Sequence, residues 1–122
     1  NKIFGCIFTY LPKTKNHCFL KYNGQRVKFA AERKKVSDVA AAGVYYVING
    51  SYFEKCIKKV IKNKITYNKM YYISSVYNEM IRNNKKIIHT RLKSMTPLGS
   101  PFELKKFIKD KNLKKTDFSS LF

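Results

Sequence analysis

The chain has 122 residues, 44% of them hydrophobic, with 26 Lys and Arg against seven Asp and Glu and a formal net charge of +19. That size and apolar content fit one compact domain with a real core, and no apolar run is long enough to cross a membrane as a helix. The charge invites a nucleic-acid module, with nine tyrosines available for stacking. Against it, only four basic residues are arginines (Arg26, Arg33, Arg82, Arg91), whereas phosphate recognition favours the bidentate guanidinium fork. Lysine laid over every solvated face accounts for the charge.

Asn1 to Gly5 carry neither the apolar core nor the cleavage site of a signal peptide, which points to a cytoplasmic protein. The sequence opens without Met, in an apolar run, so the natural chain is expected to begin further upstream. Cys6, Cys18 and Cys56 are an odd number with no Cys-x-x-Cys spacing, and His17 and His89 form no ligand cluster with them. They read as buried thiols, and no metal site is expected from them.

Phe4 to Tyr10 is apolar enough for a first strand, closed by Pro12. His17 to Tyr22 and Arg26 to Ala31 are extended runs joined by Asn23-Gly24, a pair suited to a tight hairpin turn. Val44 to Ile48 is an unbroken apolar run, the pattern of a central strand buried on both faces. Ser51 and Glu54 have capping-box spacing and predict a helix start, with Phe53, Cys56, Ile57, Val60 and Ile61 on one stripe and a solvated row of Lys55, Lys58, Lys59 and Lys62 opposite. Ile73, Val76, Tyr77, Met80 and Ile81 predict a second helix, stopped by Asn83-Asn84 and followed by a strand over Lys86 to Leu92. Ser100-Pro101-Phe102-Glu103 predicts a third helix to about Asp110 that buries Leu104, Phe107 and Ile108. Residues 1–110 are thus expected to form one α/β domain, a mixed sheet with flanking helices opened by a β-hairpin, and residues 111–122 a tail or linker.

Four segments carry a family resemblance. Ala31-Glu32-Arg33-Lys34, followed by Ser37 to Tyr46, resembles the nucleotidyltransferases that make nucleotide sugars, in particular their capsule and surface-polysaccharide branch. Tyr71 to Ile81 is similar to that family's tyrosine-rich helix start with a Val-Tyr-Asn core, and Leu98 to Leu104 to its closing Leu-Gly-Thr-Pro-Glu-Asp-Leu. Pro12-Lys13 and the Asn23-Gly24 hairpin also fall in family order, so the likeness covers about residues 4–108.

The resemblance implies a Rossmann-like fold of which this chain is the carboxyl-terminal, sugar-binding half. It implies attack of a sugar 1-phosphate on the α-phosphorus of a nucleoside triphosphate, with Mg²⁺ as cofactor and pyrophosphate leaving. Glu32 and Gly43 take sugar-binding positions, and Arg33 and Lys34 phosphate-binding ones. A carboxylate accepts bonds from vicinal hydroxyls, an adjacent cation neutralises a phosphate, and glycine permits close approach of sugar or backbone. Three positions depart from the pattern: Arg33 replaces the family's phosphate-binding lysine, Met70 an acidic residue, and Pro97 a metal-binding Asp that the capsule branch often lacks. No glycine-rich phosphate loop occurs, so no complete catalytic set is expected here, the main Mg²⁺ ligand belongs to the absent amino-terminal half, and residues 1–122 alone are expected to be inactive. Two other readings stand beside it, a non-catalytic relative that binds a nucleotide sugar or a partner chain and the basic nucleic-acid module. A half domain with uncovered sheet edges is also expected to self-associate.

Overall fold

The structure is a computed structural model and describes residues 2–113. The described residues form strands β1 (Ile3–Tyr10), β2 (Cys18–Asn23), β3 (Arg26–Glu32), β4 (Ala40–Val47) and β5 (Lys86–Arg91), and helices α1 (Gly50–Lys62), α2 (Ile73–Arg82) and α3 (Pro101–Asp110). The tail expected from residue 111 lies, from 114 onward, outside the described residues.

β1 is the spine. It pairs antiparallel with β4 and parallel with β5, for example Cys6 opposite both Tyr46 and Ile88. The predicted hairpin forms as β2 and β3, with Gly24 in the turn at φ 56°. Each of its strands then touches the rest of the sheet through one recorded pairing, Phe19 to Ala40 of β4 and Arg26 to Ile88 of β5. The result is a closed five-stranded barrel in the order β1-β4-β2-β3-β5, and this corrects the expected Rossmann-like mixed sheet with flanking helices. Register shifts between Ile3 and Gly5, Ile7 and Thr9, and Lys21 and Tyr22 supply the local bends by which short strands curl into a ring.

Ile7, Leu20, Val27, Ala30 and Ile87 of the barrel pack with Val76, Tyr77 and Met80 of α2 and Cys56 and Val60 of α1. Gly5 permits one tight approach: a Cβ there would stand 2.9 Å from the Tyr46 carbonyl oxygen, which also accepts a hydrogen bond from the Tyr77 hydroxyl at 2.8 Å. Asn78 bonds the Ala30 amide and carbonyl, each at 2.8 Å, so its side chain acts as the missing ladder partner of β3. Lys59 reaches the buried Glu79 and joins α1 to α2, so the lysine row of α1 is not wholly a solvated face.

Three further local expectations are corrected. α1 is capped by Asn49, whose side chain accepts from the Tyr52 amide, and not by Ser51; Glu54 pairs instead with Lys58 one turn on. β4 is not buried on both faces: past Ala40 its recorded pairing is with β1 alone, and Val44, Tyr46 and Ile48 are about half exposed. α3 has its predicted Ser100 cap and end point but buries no residue, Leu104 lying exposed. Of the thiols, Cys56 is buried while Cys6 and Cys18 are only partly so.

Candidate functional site

β3 ends on Glu32, and cross-strand pairing sets Cys18 beside it. The first turn of α2 arrives from the other side, where the buried Ser74 hydroxyl donates to Glu32 Oε2 at 3.1 Å. The carboxylate is therefore held by one oxygen at the head of a cleft of about 590 Å³ between β3 and α2. The cleft also includes Arg33 and Lys34, which follow Glu32, and Asn78 and Arg82 further along α2.

The chain turns sharply after Glu32. Arg33 takes a left-handed φ of 52°, and its amide donates to the His17 carbonyl at 2.9 Å, which pins the turn while its side chain and that of Lys34 stay exposed. Gly43 does not line this cleft. It lies on β4, where β1 and β4 lose register, at φ +86°, and nothing lies within 4 Å of where its Cβ would be. Glycine is thus required there by backbone conformation, with open space beside it.

Uncharged groups surround the inner side of Glu32. Burial, then the Glu32 charge, push the Cys18 thiol up to about 12, so it stays neutral behind Glu32 and is not a nucleophile. Tyr45 is raised by burial first, then by Cys18 and Glu32; its ring lies 5.4 Å from that of Tyr77, whose hydroxyl burial pushes up to about 12. The oriented Glu32 carboxylate suits a polyhydroxylated ligand, and the Arg33 and Lys34 cations that follow it suit an acid group on that ligand.

The residues the sequence suggested thus divide. Glu32, Arg33 and Lys34 come together, while Gly43 stands on another strand. Ser74, Cys18 and Arg82 were missed as site residues: Ser74 is one small residue off the apolar stripe of α2, and nothing local in the sequence joins residue 74 to residue 32.

A larger cleft of about 870 Å³ opens between the β1–β2 connection and α3. Within it Tyr10 bonds His17 Nδ1 at 3.0 Å and Thr14 bonds Nε2 at 2.6 Å. Pro97, where the family resemblance would place a metal-binding Asp, lines it and offers no side-chain ligand. Among the described residues no group of three or more His, Cys, Asp or Glu could hold a metal ion, and no helix is long and apolar enough to cross a membrane.

No family model matches the chain, and no curated protein matches it in sequence. Among solved structures it is similar to a nucleoside-diphosphate-sugar pyrophosphorylase from Vibrio cholerae RC9, with a TM-score of 0.78 and 20% identity. The match covers 88% of this chain and 47% of that one. The fold is nucleotidyltransferase-like, and the chain spans about half the length of this neighbour.

Proposed function

We propose that the chain is the sugar-binding, carboxyl-terminal half of a cytoplasmic nucleotidyltransferase that makes nucleotide sugars for capsule or other surface polysaccharide. The observation that carries this reading is Glu32, fixed by Ser74 at the head of a cleft with three cations, in a fold shared with a nucleotide-sugar pyrophosphorylase. Glu32 accepts sugar hydroxyls, and Arg33 and Lys34 neutralise the phosphate and orient its oxygen for attack. In the reaction a sugar-phosphate oxygen bonds to the α-phosphorus of the nucleoside triphosphate, and the bond to pyrophosphate breaks. The described residues do not fit the Mg²⁺ that the resemblance implies, since no acidic cluster is present among them. These residues bind and orient the sugar phosphate only.

Phosphorus NMR of glucose 1-phosphate titrated with the chain tests this. A saturable shift is expected, weakened about tenfold by Glu32→Gln, the loss of one charged hydrogen-bond partner. Absence of saturable binding overturns the reading. Pro97 favours a second reading, a non-catalytic nucleotide-sugar binder; tight binding without turnover by the full natural protein would select it.

A further inference from the structure

We infer that Arg82 makes this cleft selective for an acidic sugar, one that carries a carboxylate besides its phosphate. The inference rests on the sugar-phosphate reading above and concerns the end of the cleft that this reading leaves unused. β3 and α2 run in opposite directions along the cleft, since Glu32 meets Ser74 and Ala30 meets Asn78. Arg33 and Lys34 therefore stand past one end, beyond Glu32. Arg82 stands at the other, eight residues along α2 from Ser74, about 12 Å at helical rise.

The cations are thus split between two ends with hydroxyl-binding groups between them, which fits two separate anions better than one. Arg82 is also oriented. Glu79, 3% exposed, accepts from its Nε at 3.2 Å and its Nη2 at 2.5 Å. Glu79 is itself held by Lys59 and Asn83. These two bonds fix the inner edge of the guanidinium and leave Nη1 and one Nη2 hydrogen as a second pair of parallel donors, the geometry that takes a carboxylate in bidentate fashion. Arg82 is about half exposed, so that outer edge is open to a ligand.

The test compares glucuronate 1-phosphate with glucose 1-phosphate, which differ at C6, by phosphorus NMR or calorimetry on the 122-residue chain. The wild type is expected to bind the uronate about tenfold more tightly, as one charged hydrogen-bonded pair allows. Arg82→Gln should bring that ratio to about one, and Arg82→Lys, which keeps charge but loses the fork, should fall between. Circular dichroism of both variants checks that α2 is intact; because they differ in geometry and not in fold, a graded ratio separates recognition from unfolding. Equal affinity for the two sugars in the wild type, or a preference that survives Arg82→Gln, overturns the inference and leaves the sugar-phosphate reading standing. Failure to bind either sugar overturns both.

Discussion

α2 and α3 are each ten residues long and each shows an apolar stripe, yet six residues of α2 are buried and none of α3. The difference lies in what each helix completes elsewhere. α2 donates from Ser74 to Glu32, from Tyr77 to the Tyr46 carbonyl and from Asn78 to Ala30, and it receives Lys59 on Glu79. The recorded polar contacts of α3 are local: Ser100 caps the Glu103 amide, and Pro101 pre-sets the first turn. A cap and a stripe therefore specify that a helix forms, while distant groups in need of partners decide where it docks.

The largest effect that could break this comparison is in the core. Met80 is fully buried against the barrel, so Met80→Ala should destabilise by about 2–5 kcal/mol in urea unfolding. Phe107→Ala, on the apolar stripe of α3, should cost less than about 1 kcal/mol. Similar losses would mean that α3 is docked as firmly as α2. Next in size, Asn78→Ala leaves the Ala30 amide and carbonyl without their partner and should cost about 1–3 kcal/mol. Amide exchange reads this locally: the Ala30 proton should exchange faster than its β3 neighbours. Unchanged protection at Ala30 would show that another group closes that edge.

Local signals in the sequence were legible in proportion to how local their physics is. The Asn23-Gly24 turn, the Ser100 cap, the ends of α2 and the start of β5 each depend on a few neighbouring residues, and they lie where the sequence puts them. Ring closure depends on Phe19 meeting Ala40 and Arg26 meeting Ile88, two contacts between distant residues that no periodicity announces. The apolar run Val44 to Ile48 predicts two-sided burial, but the described residues cover one face of it, since α1 and α2 lie on the side of Tyr45 and Val47. The site divides in the same way. Glu32, Arg33 and Lys34 are contiguous and readable together, whereas Ser74 and Arg82 join them only after α2 packs along β3.

The smallest effect is electrostatic and sharpens the same contrast, because it isolates the link between α1 and α2. Hydrogen bonding from Lys59, then from Arg82, holds the Glu79 carboxyl below its ordinary value of 4.5. Its folded pKa is therefore depressed, and the unfolded chain binds the proton more readily. The resulting stability is present above pH about 4.5 and is lost as pH falls through the folded value. Lys59 and Arg82 are each about half exposed, so water and salt screen the pair and the effect is modest. Glu79→Gln removes the titrating group while keeping its shape, so the slope of stability against pH below 4.5 should flatten relative to wild type. Raising salt should shrink the wild-type slope toward that of the variant. If both proteins lose stability equally on acidification, the acid response belongs to other carboxylates, and the two helices are held together by packing alone.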